Sequence, residues 1–265
     1  MSLSFCSFSS GSSGNCYLIQ SEETAILVDA GISCKRIMEG LEKIGTSKDK
    51  ITGILITHEH SDHVKGLRVL AKKLGNVKAL ANRKTWDFVD RSEFIDKCGT
   101  FTTGEVFHLG NIKVKPFRIF HDAAEPVGFS FEAGGRKLSL LTDTGCVDDG
   151  IIGEICDADT LVLEANHEEQ LLMYGSYPYY LKRRILSDVG HLSNKAAAET
   201  LCRLLYDQKK IRSVLFAHLS KENNFPECVY QTVKNTLIEG EHFPDEDRLK
   251  MDILLRDCIS RVYSV

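Results

Sequence analysis

Six short apolar runs lie along the chain, and each closes on polar residues: TAILVDAG (24–31), ITGILITH (51–58), IKVKPFRIFHD (112–122), KLSLLTDTG (137–145), DTLVLEANH (159–167) and RSVLFAHLS (212–220). Runs of this length, rich in Val, Ile and Leu, predict buried strands. Apolar residues recur at helical spacing in HVKGLRVLAKKLG (63–75), NKAAAETLCRLLYDQ (194–208) and PECVYQTVKNTLIEG (226–240), the last stopped by Gly240. Near the start, strand-like SLSFCSF (2–8) and CYLI (16–19) flank SSGSSG (9–14), which predicts a hairpin with a serine and glycine loop. Together these elements predict an α/β fold.

Composition narrows the picture. A chain of 265 residues with 43% hydrophobic content suffices for one large domain that buries roughly 75% of its unfolded surface. No repeat or Pro/Gly-rich linker divides it, so residues 1–265 are expected to form a single domain. No apolar run approaches the roughly 18 residues of a membrane span, and no leader-like start is visible, so a cytoplasmic protein is expected. The nine cysteines are odd in number and form no CxxC pair, which argues against a disulfide framework and against a zinc knuckle. A net charge of -4 offers no global attraction to nucleic acid, so any such binding needs a local patch.

The six predicted strands share something that burial does not require. Each ends on a residue able to bind a metal or carry a proton: Asp29, His58, His121, Asp143, Glu164 and His218. Strand ends are where α/β folds place their sites. In GILITHEHSDHVKG (53–66), His58 and His60 are two apart in an extended segment and project to one side, where they can share an ion. Asp62 and His63 fall where the chain turns into a helix, which aims them at a second point. HxH alone suits a solvated loop; HxHxDH directly after a buried strand points to two neighbouring metals.

With these residues the chain resembles the metallo-β-lactamase fold superfamily, and the resemblance covers nearly its whole length. It implies a four-layer αββα sandwich. It also implies a first metal on His58, His60 and His121, a second on Asp62, His63 and His218, and Asp143 bridging the two. Asp29 matches the superfamily's first acidic motif, a support that orients a ligand. No ligand is a thiolate, which departs from the true lactamases; Cys146 lies off the matching position. VLEANHEE and DVGHLSNKAAAE resemble loops of ribonuclease Z-type enzymes, implying that Glu164 and His191 form a proton-donating pair, while Ser193 and Asn194 also suit helix caps. His108, His167 and His242 are expected to be ordinary histidines.

SFSSGSSGNCYLIQ, FHDAAEPVGF, GHLSN and AHLSKENN resemble the bacterial YycJ/WalJ-type metallohydrolases, a cytoplasmic group associated with 5′-to-3′ DNA exonuclease action and mismatch repair. The implied chemistry is in-line displacement by a hydroxide shared between two cations, Mn²⁺, Zn²⁺ or Fe, with Asp62 in the catalytic centre and His191 protonating the leaving 3′-oxygen. For a DNA partner, the candidate contacts are Ser12 and Ser13 in the glycine loop, and Ser220 and Asn223 in AHLSKENN. Lys65, Arg68, Lys72 and Lys73 lie in the acid-free run 64–84, and Tyr179, Lys182 and Arg183 in YGSYPYYLKRR (174–184). A solvated helix face explains the first run equally well, and the acidic stretch EGEHFPDED (239–247) should face away from substrate. Two other functions fit the same letters: a small-molecule hydrolase of a thioester, lactone or cyclic phosphodiester, and a regulatory protein stabilised by its metals. A homodimer is compatible with all three.

Overall fold

The computed structural model describes residues 2–207, 210–240 and 249–265; His242 and most of the acidic stretch 239–247 lie outside the described residues. The chain forms two compact units, residues 1–118, 123–137 and 255–265 in one and residues 119–122 and 138–254 in the other.

In the first unit the chain order is β1 (Ser4–Ser9), β2 (Cys16–Gln20), β3 (Ala25–Val28), α1 (Cys34–Lys43), β4 (Ile51–Leu55), α2 (Ser61–Val64), α3 (Leu67–Lys73), β5 (Lys78–Ala81), α4 (Arg83–Asp87), β6 (Cys98–Thr100), β7 (Phe107–Leu109), β8 (Ile112–Arg118) and β9 (Val127–Ala133). The strands β10 to β13 follow, and β14 (Tyr263–Ser264) returns to the first unit. One seven-stranded sheet runs β14-β1-β2-β3-β4-β5-β6. It is antiparallel as far as β3 and parallel from β3 to β6. The strands β7, β8 and β9 form an antiparallel meander. The AILV of β3 is buried at every position, as expected of a strand covered on both faces. Its apolar partners include Phe8, Leu18, Ile54, Leu70 and Trp86.

The second unit carries β10 (Arg136–Leu141), α5 (Asp149–Ile155), β11 (Thr160–Glu164), α6 (Glu169–Tyr174), α7 (Tyr179–Ile185), α8 (Asn194–Asp207), β12 (Ser213–Ala217), α9 (Pro226–Glu239) and β13 (Lys250–Ile253). Its strands pair in parallel in the order β10-β11-β12-β13. Parallel neighbours need crossovers, and α5, α6 to α8, and α9 supply them. The carboxyl ends of β10, β11 and β12 therefore open on one edge, where Asp143, Glu164 and His218 lie.

The helix expected over 63–75 is broken into α2 and α3 at Lys65 and Gly66. Gly66 N–H donates to Ala30 O at 2.8 Å, and a Cβ there would sit 2.0 Å from Ile32 O. Backbone contact, which helical periodicity does not reveal, stops the helix. Gly31 is tighter still: its Cβ would fall 1.5 Å from Asp62 O. Among the described residues no helix is long and apolar enough to cross a membrane.

Candidate metal centre

Asp29 immediately follows β3 with φ 61°, Asp143 lies two residues past β10 with φ 58°, and His218 immediately follows β12 with φ 59°. The left-handed region is uncommon for residues with a Cβ, and such outliers concentrate at functional sites. Here all three non-glycine residues with positive φ among the described residues come from the sequence-derived site.

Within the first unit, HxHxDH and Asp29 form one network. Thr57 N–H and Oγ1–H donate to the Asp29 carboxylate, both at 2.9 Å, and His63 Nδ1 lies 2.7 Å from Asp29 Oδ2. Since the Thr57 hydroxyl proton is directed to Asp29, its oxygen accepts from His58 Nδ1 at 3.0 Å. His58 packs against His60 and His63 with ring centroids 4.6 and 4.0 Å apart. Burial pushes the Asp29 carboxyl up, while His63 and Thr57 pull it down. Asn15, from the glycine loop, places Nδ2 3.0 Å from His63 Nε2, and its N–H donates to Asp62 O at 2.8 Å.

Within the second unit, Glu164 is the hub. Its Oε1 receives His191 Nδ1 at 2.8 Å and His218 Nδ1 at 2.9 Å; its Oε2 receives the N–H of Thr144 at 2.9 Å and of Leu192 at 3.3 Å. Burial alone would raise this carboxyl, but the two imidazoles together hold it well below the ordinary carboxylate range. Asp143, Glu164, His191 and His218 each bring one donor atom within 4.8 Å of the others, and His218 Nε2 is 3.3 Å from Asp143 Oδ1. His121 Nδ1 lies 3.1 Å from Gly190 O, and burial lowers its pKa.

Four of the candidate ligand imidazoles thus have Nδ1 tied to an oxygen: His58 to Thr57, His63 to Asp29, His121 to Gly190 and His218 to Glu164. That fixes the tautomer in which Nε2 carries the lone pair, the form in which imidazole binds a metal. A donor set of imidazole and carboxylate fits a divalent cation. The supports Thr57, Asn15 and Thr144 and the double load on Glu164 went unrecognised in the sequence. Only the dipeptide Thr57-His58 carried a local signal; the rest are long-range contacts.

The candidate substrate contacts divide. Tyr179 is exposed and Arg183 stacks over its ring at 6.0 Å. Ser220 and Asn223, expected at a nucleic-acid surface, are instead buried: Ser220 N–H donates to Asn166 O, and its hydroxyl accepts from Asn223 N–H. Lys182 caps the carbonyls of Met173 and Gly175. The run 64–84 lacks acids only in sequence, because Glu93 holds both Arg68 and Lys72, and Glu125 pairs with Lys84. Lys65 donates to Ser13 O, and Lys73 remains exposed.

His167 was expected to be an ordinary histidine. It is 1% exposed and neither ring nitrogen has a hydrogen-bond partner; burial lowers its pKa to about 4, with Glu164 opposing. Between the ordinary value near 6.5 and about 4, the unfolded chain takes a proton that the native chain refuses. Stability from this group is complete above pH 6.5 and is lost as pH falls toward 4. In EDTA, to keep metal loss out of the comparison, His167→Phe should remove roughly 2 kcal/mol of the destabilisation seen between pH 7.5 and pH 5. Equal losses in the two proteins, measured by urea melts, would refute the neutral buried imidazole.

The family model described as β-lactamase superfamily domain matches residues 24–218. The chain belongs to this superfamily. It is 40% identical over 237 residues to exodeoxyribonuclease WalJ of Streptococcus pneumoniae serotype 2, covering 88% of this chain and 87% of that one. To exodeoxyribonuclease YycJ of Bacillus anthracis it is 40% identical over 255 residues, covering 93% and 96%. The metallo-β-lactamase fold protein YhfI of Bacillus subtilis superposes over the full length of both chains with a TM-score of 0.75 at 14% identity. The superfamily member is thus a metallo-β-lactamase-fold hydrolase, and its His/Asp clusters suit divalent metal binding.

Proposed function

We propose that the protein is a cytoplasmic 5′-to-3′ exodeoxyribonuclease of the mismatch-repair type. It is a metallo-β-lactamase-fold nuclease, and the 40% identity to YycJ over 93% of the chain is the observation that carries the reading to DNA. A first divalent ion would be held by His58, His60 and His121 and a second by Asp62, His63 and His218, with Asp143 common to both; manganese, zinc and iron all suit such ligands. When bound, the ions supply Lewis acidity toward the phosphoryl oxygens and an acidified water. The chain's own residues do the rest. Asp29, Thr57 and Glu164 hold the ligand imidazoles in one tautomer. His191, hung from the same Glu164 oxygen as His218, would protonate the leaving 3′-oxygen through its Nε2.

A test of that role uses two leaving groups. His191→Ala should retain its metal and lose about 10²-fold or more on DNA, but far less on a nitrophenyl phosphodiester, whose leaving group needs no proton. Equal losses would contradict the assignment. The small-molecule alternative draws support from the ion-paired state of Arg68 and Lys72, which weakens the case for a broad basic track. Incubating the Mn²⁺-loaded protein with DNA and RNA of one sequence, beside an EDTA control, separates the readings. Metal-dependent digestion of DNA supports the proposal, and inert DNA with turnover of the small ester favours the alternative.

A further inference from the structure

The loop Gly11–Gly14 is anchored almost completely. Gly11 N–H donates to Asn15 Oδ1 at 2.8 Å, Gly14 N–H to Gly11 O at 2.8 Å, and Asn15 N–H to Asp62 O at 2.8 Å. Two consecutive amides, Ser12 and Ser13, have no partner among the described residues, and neither does the Ser12 hydroxyl. Ser12 is exposed and Ser13 half-buried, while the glycines on either side are buried. Cations from two distant segments converge on this tip: Lys65 donates to Ser13 O, and Arg256 Nη2 lies 3.3 Å from Ser13 Oγ. Arg36 stands behind them, 3.8 Å from Asp257, whose Oδ1 accepts from Ser13 Oγ at 3.4 Å. Lys65 and Arg256 thus flank the tip, with the Arg36–Asp257 pair beside it. Arg256 is itself half-buried and its carbonyl accepts from Ser9 Oγ and Ser10 N–H, so the C-terminal segment is fastened to the base of the loop.

Consecutive unpaired amides form an anion-binding concavity, and guanidinium and ammonium groups beside them favour a phosphoryl group. Resting on the exonuclease reading, we infer that Ser12, Ser13, Lys65 and Arg256 form a subsite for the terminal 5′-phosphate of a DNA strand. Two amides, a hydroxyl and two cations match the three oxygens and double charge of a phosphomonoester better than the single charge of an internal phosphodiester. The position suits exonucleolytic action. Asn15 ends the loop and touches His63 Nε2 and Asp62, so a phosphate on the loop tip lies next to the metal motif. A 5′ end held there sets how far the strand enters, and an internal phosphate, with one charge and two free oxygens, fills the same donors less completely.

The test compares 5′-phosphorylated and 5′-hydroxyl oligonucleotides of one sequence. The wild-type enzyme should favour the phosphorylated end by about 30-fold or more in kcat/KM. Arg256→Gln and Lys65→Gln should each cut that ratio about 5-fold, and together bring it near unity. Anisotropy in EDTA, where no cleavage occurs, should show the same preference in binding and the same loss. A wild-type ratio near one would overturn the subsite. So would variants that slow both ends equally, because the loop would then hold an internal phosphate or none. Failure to digest either end would instead count against the exonuclease reading itself.

Discussion

Asp143→Ala should bind about one ion where the proposed ligand set gives the wild type two, and its hydrolysis of DNA and of a nitrophenyl phosphodiester should both fall by about 10³-fold or more. The reason is positional. The parallel pairing of β10 with β11, and of β11 with β12, sets Asp143, Glu164 and His218 at neighbouring strand ends, and the Asp143 φ of 58° turns the carboxylate out of the strand direction. Its oxygen lies 3.3 Å from His218 Nε2. In the proposed ligand set it alone serves both ions, so no neighbour can replace it. Metal content by mass spectrometry and rates on both substrates check the expectation. A variant with two ions and a near-native rate would remove Asp143 from the centre.

The second large effect belongs to Glu164→Gln, and its pattern matters more than its size. If Glu164 served only His191, the variant would copy His191→Ala and spare the activated ester. The structure shows one oxygen accepting from both His191 Nδ1 and His218 Nδ1. An amide in this place can satisfy two N–H donors from the imidazoles only by presenting its oxygen to them, which leaves its NH₂ facing the amides of Thr144 and Leu192. Breaking a buried charged pair costs roughly 3 kcal/mol or more. Each imidazole that loses its orienting partner costs about 10- to 100-fold in metal affinity or activity. Glu164→Gln should therefore lose about 10³-fold on DNA and at least about 10-fold on the nitrophenyl ester, with weaker metal retention. A loss confined to DNA would mean that His218 does not depend on Glu164.

Much of the centre was legible because its chemistry sits at strand ends, and strands announce themselves as apolar runs. Asp29, His58, His121, Asp143, Glu164 and His218 follow such runs in sequence and lie at or just past strand ends in the structure. Spacing within HxHxDH could be read because it is local. What could not be read depends on segments far apart in sequence. The acid-free run 64–84 meets its counter-charge in Glu93 and Glu125, residues supplied by later turns of the chain. Ser220 and Asn223 have polar letters but point into the second unit, bonded to each other and to Asn166. The glycine loop was recognisable as a turn, but its fastening to Arg256 spans 243 residues.

The central claim is that DNA is degraded from its 5′ end by a metal-dependent phosphodiesterase. The most direct measurement follows duplex and single-stranded DNA labelled at either the 5′ or the 3′ end, with Mn²⁺ and with EDTA. The account predicts early release of the 5′ label as a mononucleotide and a 3′-labelled ladder that shortens step by step, both abolished by EDTA. Release of the 3′ label first, internal cuts without end preference, or digestion that persists in EDTA would contradict it.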